Sequence, residues 1–348
     1  MQVTPLIWII TLAVTVLFFV YEFFAHVRKP HEPSIGESAR WSAFYIGLAL
    51  LFGVGIGMVS GWNFGGEYFA GYLTEKALSI DNLFVFLIVM SGFAVPKKYQ
   101  QKVLMIGIII ALILRGIFIM LGAALIEQFS WIFYFFGLIL VFTAWRQAFP
   151  KSHENDMQTE TGVVRFARRF IDVNDEYDGA KVRTVVGGKK VWTPMILVFI
   201  AIGFTDLIFA IDSIPAIFGI TQSPFIVFTA NIFALMGLRQ LYFLLGGLLD
   251  RLKYLHYGIA FILAFIGVKL FFHALHTNTL PFINDGQPVP WAPEISTWAS
   301  LIVIVLSMAV ATIASLISSG RDKKRDAAAA AAAPSGVEPT PSSPDDQS

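Results

Sequence analysis

Apolar residues run through this chain in long, nearly unbroken stretches, and the polar residues that interrupt them are few and clustered. A helix needs about 20 mostly apolar residues to cross the hydrocarbon of a bilayer. Runs of that kind predict spans at 6–26, 40–60, 71–95, 103–126, 129–148, 195–219, 224–248, 255–276 and 297–319. Backbone groups in hydrocarbon must pair within their own segment, so each run is expected as a helix. The fold class that follows is all-α, a polytopic membrane helix bundle of about nine transmembrane helices. The third span fits least well. Its apolar part, Leu83–Val95, is short, and crossing requires the polar stretch Tyr72–Asn82 to enter the membrane. Polar residues at that depth are costly, which makes the stretch a functional candidate.

Composition agrees with hydrocarbon as the main solvent. Of 348 residues 56% are hydrophobic and 14% charged, and the mean hydropathy is +0.68. A net charge of +1 gives no reason to expect a nucleic acid partner. The absence of cysteine excludes disulfides, thiolate metal sites and cysteine nucleophiles together. The first apolar run lacks the basic start and small-residue cleavage site of a signal peptide, so a retained span is expected.

Lys and Arg concentrate in alternate connections, which orients the chain. Arg28, Lys29 and Arg40 lie between spans one and two, and Lys97, Lys98 and Lys102 between three and four. Segment 149–193 is basic, Arg251 and Lys253 follow span seven, and Arg321, Lys323, Lys324 and Arg325 follow span nine. In the other connections Lys76 is the exception. The N-terminus is therefore expected outside and the C-terminus in the cytosol, in a plasma or inner membrane. The division is 1–148 for spans one to five, 149–193 for a cytosolic connector, 194–319 for spans six to nine, and 320–348 for a disordered tail. The tail holds an alanine run and a Pro- and Ser-rich end with little to bury. In the connector, Arg165–Ile171 suits a basic amphipathic helix on the inner leaflet. Val185–Val191 suits a hairpin turning at Gly187-Gly188. The plainer reading of both is a connector.

The most specific feature is internal. Thr74-Glu75 followed by Asp81-Asn82 in span three matches Thr205-Asp206 followed by Asp212-Ser213 in span six, with the same six-residue spacing. Leu114-Arg115-Gly116 in span four matches Leu238-Arg239-Gln240 in span seven, and Gly137 and Gly267 sit within spans five and eight. Span three runs inward and span six outward. Spans 3–5 and 6–8 therefore form an inverted repeat, an arrangement in which secondary transporters place their substrate site between the halves.

At about 1.5 Å per residue, Asp81 and Asp206 fall near mid-depth, with Glu75 and Asp212 nearer the outside. Such carboxylates need a partner or a cation. Arg115, Arg239 and Lys269 are the candidates for compensating or coupling charge, and four acids against three bases leave one net negative charge. Buried structural ion pairs are the plain alternative. Pro215 frees the carbonyl of Ile211 beside Asp212, and Asn82, Ser213, Ser79 and Thr205 offer neutral oxygens nearby, while Asn231 in span seven either joins helices by a hydrogen bond or faces the site. This is a hard-ligand set suited to Mn²⁺, Mg²⁺ or Ca²⁺. Residues six apart on a straight helix point about 240° apart, so Glu75 and Asp81 need not share one site.

Other signals are weaker. Gly53-x-Gly55-x-Gly57 mimics a nucleotide fingerprint, but no strand precedes it, and glycines at four-residue steps suit close helix packing. His273 and His276 read as an interfacial pair. Glu22 and His26 read as side chains snorkelling from the cytosolic end of span one.

At these residues the chain resembles a known family. Glu75-Lys76-Ala77-Leu78-Ser79-Ile80-Asp81-Asn82-Leu83-Phe84 and Asp206-Leu207-Ile208-Phe209-Ala210-Ile211-Asp212-Ser213-Ile214-Pro215-Ala216 are similar to the TerC/Alx family, named for tellurium resistance. Pro224–Asn231 and Leu238–Phe243 resemble it too, and the likeness runs from about 38 to 319. The resemblance implies membrane proteins that export Mn²⁺, distantly related to the LysE exporters. It further implies a metal site at Glu75, Asp81, Asn82, Asp206, Asp212 and Ser213, with Mn²⁺ as transported ion and no permanently bound cofactor. Proton-coupled alternating access is expected and no enzymatic activity. A non-transporting scaffold, with structural ion pairs and a partner-binding loop, is the rival. An intramembrane enzyme is a weaker one.

Overall fold

The structure is a computed structural model in which residues 3–24, 33–149, 162–171, 173–174, 176–245 and 254–332 are described. Its helices are α1 (Pro5–Glu22), α2 (Ile35–Ser60), α3 (Trp62–Gly92), α4 (Lys97–Gln128), α5 (Ile132–Ala148), α6 (Gly162–Phe170), α7 (Met195–Phe218), α8 (Pro224–Leu235), α9 (Leu238–Leu245), α10 (Leu255–His276) and α11 (Thr297–Ala332). Two short strands, β1 (Arg183–Val186) and β2 (Lys189–Trp192), lie between α6 and α7.

Helices stand at each of the nine predicted positions. Among the described residues, seven segments are both long and apolar enough to cross a membrane: α1, α2, α4, α7, α8 with α9, α10 and α11. The other two positions hold α5, apolar but only 17 residues long, and α3, whose 31 residues include the polar stretch. A count of seven by length and hydropathy is thus what the described helices support directly. α3 lies against α2, α7, α8 and α11, and α5 against α10.

Three expectations change. α3 begins at Trp62 rather than 71, because α2 and α3 are joined by Gly61 alone, whose φ of +103° makes the reversal without a loop. The two helices can turn so tightly because a Cβ on Gly65 would stand 3.0 Å from the Cα of Gly57. Span seven is broken, since α8 stops at Met236 with ψ 131° and Gly237 follows at φ +76°. The tail expected to be disordered from residue 320 is helical to Ala332. Alanine is the best helix former, and a helix already nucleated in α11 extends through it at little cost. Residues 333–348 lie outside the described residues.

The packing follows the repeat. Exchanging α3, α4 and α5 for α7, α8 and α10 turns the α3–α8 contact into the α7–α4 contact, and both are present. At the α5–α10 crossing the two repeat-matched glycines face each other. A Cβ on Gly137 would stand 3.0 Å from the Gly267 carbonyl oxygen, and one on Gly267 3.1 Å from that of Gly137. α1 and α11 are peripheral and mostly exposed, whereas Pro224–Leu244 is largely buried within the bundle. Exposed side chains such as Leu6, Ile9, Leu17, Val310 and Ile313 clothe these outer helices as hydrocarbon requires.

The connector is folded onto the bundle where it is described. β1 and β2 pair antiparallel through Gly187 and Gly188, both at positive φ, as the Gly-Gly turn predicted. Val164 of α6 is fully buried against α7, and Tyr177 donates to the carbonyl of Phe93 at 2.6 Å. This segment is docked by specific contacts, which a plain connector would not need.

Candidate functional site

One face of α3 carries Tyr68, Tyr72, Glu75, Ser79 and Asn82 at steps of four, three, four and three, the spacing of a single helical stripe. All five are buried. Burial of so polar a stripe demands partners, and α4 supplies the main one. Arg115 of α4 is 1% exposed and reaches between α3 and α7. Its Nη1 donates to Glu75 Oε2 at 2.6 Å. Its Nη2 donates to Asp206 Oδ1 at 3.2 Å and its Nε to Asp206 Oδ2 at 3.5 Å, a two-point grip on that carboxylate. With the Asn82 amide oriented oxygen toward the guanidinium, Asn82 accepts from Nη2 at 3.0 Å and donates to the Leu78 carbonyl at 3.2 Å.

Three of the six predicted metal ligands, Glu75, Asn82 and Asp206, therefore converge, and they do so on a tethered cation. Two carboxylates against one guanidinium leave one negative charge. Further buried oxygens have no hydrogen-bond partner among the described residues: Glu75 Oε1, Thr74 Oγ, Ser79 Oγ and Tyr68 Oη on α3, Ser213 Oγ on α7 and Asn231 Oδ1 on α8, where the amide nitrogen of Asn231 is unpaired as well. Buried polar atoms left over in this number need an account. A hydrated or partly dehydrated cation fits carboxylate, amide and hydroxyl oxygens of this type. Among the described residues, no three His, Cys, Asp or Glu side chains gather into a ready metal cage. The Asp81 side chain lies outside the described residues, and Thr205 is half-buried beside Asp206.

Other predicted residues go elsewhere. Asp212 accepts from Thr143 of α5 at 2.7 Å and faces the basic end of that helix near Arg146. The six-residue step carries it round α7, away from the face that presents Asp206. Arg239, the repeat mate of Arg115, does not reach the acids. It stands one residue into α9, beyond the break at Gly237, and pairs with Glu22 of α1 at 2.9 Å. Lys269 donates to Ser300 of α11 at 3.0 Å and feels Glu67 near the start of α3. His273 meets Gln222 at 2.7 Å.

Several residues outside the predicted set prove important. Glu22 is 4% exposed and accepts from Arg239, Gln240 and Tyr45, so the snorkelling reading is overturned by a buried ion pair. A carboxylate on span one and an arginine on span seven were both visible in the sequence, but not their meeting. His26 lies outside the described residues. Glu67 bonds Thr221, and the early start of α3 placed it inside the bundle. Lys76, flagged only as a basic exception, donates to the carbonyls of Ala234 and Met236 at 3.0 and 3.3 Å.

The sequence model of the integral membrane protein TerC family matches residues 60–323. The chain belongs to the TerC family. Its relatives include an uncharacterized membrane protein of Mycobacterium tuberculosis, 48% identical over 90% of this chain and 80% of the relative. Alx of Photorhabdus laumondii, described as a membrane-bound redox modulator, is 38% identical over 87% of this chain and 94% of its own. The chloroplast thylakoid membrane protein TERC of Arabidopsis thaliana is 38% identical over 84% of this chain and 71% of its own. No solved structure matches. The TerC match includes Glu75, Arg115, Asp206 and Arg239 but begins after α1 and most of α2. This is a multi-pass integral membrane protein of that family.

Proposed function

We propose that this TerC protein transports a divalent cation, Mn²⁺ by preference, out of the cytosol by alternating access. The observation that carries the reading is that Glu75 and Asp206, from repeat-related helices, meet on one buried guanidinium. A site that holds a tethered cation between its halves is built for positive charge. When cargo arrives, Arg115 withdraws and Mn²⁺ takes the carboxylates, with Asn82, Ser79, Ser213 and Asn231 as neutral oxygens. Hard oxygen ligands of this type suit Mn²⁺, Ca²⁺ and Mg²⁺, which cavity size and rigidity then distinguish, and the preference for Mn²⁺ rests on the family resemblance. Proton antiport is the proposed energy source, with protons taking the acids as the metal leaves. We assign the protein no enzymatic reaction and no resident cofactor. We place it in the plasma or inner membrane with the N-terminus outside and the C-terminus cytosolic, its partners the metal ion and the lipid bilayer.

The rival is a scaffold in which Arg115–Glu75–Asp206 and Arg239–Glu22 are structural, and the docked connector favours it as a partner-binding surface. Flux of Mn²⁺, Ca²⁺ and Mg²⁺ into liposomes holding the purified protein separates the two. Export predicts Mn²⁺ flux above that of the other ions, lost in Asp206→Asn while the protein stays inserted. No flux of any of the three from well-folded protein leaves the scaffold.

A further inference from the structure

Span seven is the one position of the nine at which the helix is visibly broken among the described residues, and the break is answered from another helix. α8 ends where Met236 leaves helical geometry, and Gly237 at φ +76° starts α9 in a new direction. A Cβ at Gly237 would lie 2.9 Å from Tyr45, so the chain passes close against α2 at the turn. The break frees carbonyls that hydrocarbon cannot satisfy. Lys76 of α3 supplies the donor, with its ammonium on Ala234 O and Met236 O, one on each side of the break's start. A cation is the right group there, since the carbonyl end of a helix carries partial negative charge.

Beyond the break, α9 is held at its polar side chains: Arg239 to Glu22 and Gln101, Gln240 to Glu22, and Tyr242 to Gln100. α9 is thus joined to α8 by a glycine, packed on α2 with Leu238 and Tyr242 buried, tied to α1 and α4 by exchangeable hydrogen bonds, and met just before its start by Lys76. The repeat mate of this span, α4, runs unbroken through Arg115. The asymmetry puts a helix break, and so a candidate hinge, in one half only.

Lys76 also directly follows Glu75. Neighbouring helical residues point about 100° apart, which turns Glu75 to Arg115 and Lys76 to the break. A movement of α3 that accompanies exchange of Arg115 for cargo is felt at the hinge at the same time. We infer that Lys76 is a positioning residue that latches the α8–α9 hinge and couples occupancy of the acidic site to opening of the α9 end. The inference rests on the transport reading for its coupling, and on the hinge alone for its latch.

The chain has no cysteine, so Phe243→Cys on α9 is a clean reporter of opening toward a membrane-impermeant maleimide. Lys76→Met in that background is expected to raise the labelling rate at least about fivefold, and Lys76→Arg by less than about twofold. In liposomes Lys76→Met is expected to lower Mn²⁺ turnover about tenfold while equilibrium Mn²⁺ binding changes by less than about threefold. Lys76→Gln, which keeps donors without charge, carries the test where Lys76→Met does not accumulate, with the same direction at smaller size. Faster labelling in a protein whose parent moves no divalent ion supports the latch and removes the transport reading. Normal parental flux, with labelling and turnover unchanged in both Lys76→Met and Lys76→Gln, overturns the latch and leaves transport standing.

Discussion

On the transport reading, Arg115 occupies the place that a cation cargo would take, and that gives the residue two opposed effects. Removing one member of a buried ion pair leaves uncompensated charge and costs about 3–5 kcal/mol. Arg115→Met strands Glu75 and Asp206 together, so thermal unfolding in detergent should show a loss in that range. The same substitution removes the competitor for the site. A ligand that binds only the folded form stabilises it by about 2.7 kcal/mol at about 100 times its Kd. Added Mn²⁺ should therefore raise the melting temperature of Arg115→Met more than that of the parent. If Mn²⁺ moves neither melting temperature, Glu75 and Asp206 are not its ligands. The acids themselves were legible from their repeated six-residue spacing. Arg115 was among the candidate partners, but that it alone of Arg115, Arg239 and Lys269 meets Glu75 and Asp206 was not legible. Nor was the partner of Asp212, because a helical step of six turns that acid away from Asp206 and only packing says what it meets. Asp212 met Thr143 for that reason.

Among the elements, the sequence pattern located every long helix but missed the break in span seven. The residues there, Leu235-Met236-Gly237-Leu238, contain no proline, and one glycine in an apolar run is ordinarily tolerated. The break becomes visible only with Lys76 and Tyr45 in place. Gly237 has a left-handed φ and a close neighbour, so Gly237→Ala is expected to cost about 1–3 kcal/mol of stability. Gly55→Ala on α2, where a Cβ meets nothing within 4 Å, is expected to be near neutral. Parallel thermal melts of the two variants check this, and equal behaviour would mean that the turn at residue 237 carries no strain. The first part of the tail, as far as Ala332, was misjudged for the opposite reason. Composition without apolar surface argues against independent folding, but α11 was already a helix when it reached the alanines.

For the whole molecule, the inverted repeat explains where the acids meet, and departures from it explain why only one arginine meets them. Arg115 lies on a continuous helix and points between α3 and α7, whereas Arg239 follows the break at Gly237 and is carried away from the two acids, still buried. There it finds Glu22, on a helix that precedes the residues matched by the family model. α1 leaves most of its apolar side chains exposed and touches the bundle at few points, Trp8 on Phe225 and Phe228 and Phe18 on Tyr45 among them, so the buried pair is expected to carry a large share of its attachment. Lipid is as apolar as a leucine side chain, and helices in it gain little from hydrophobic contact alone. The ion pair should then behave as a two-sided lock. Glu22→Gln and Arg239→Gln are each expected to destabilise by about 3 kcal/mol, since each leaves its buried partner charged and alone. Joined in one chain, the two neutral substitutions should cost clearly less than their sum, with a coupling of about 1–3 kcal/mol in the double-mutant cycle. Additive losses would mean that Glu22 and Arg239 act independently. In that case α1 would be held by its few apolar contacts, and the hinge of α9 would have no anchor on it.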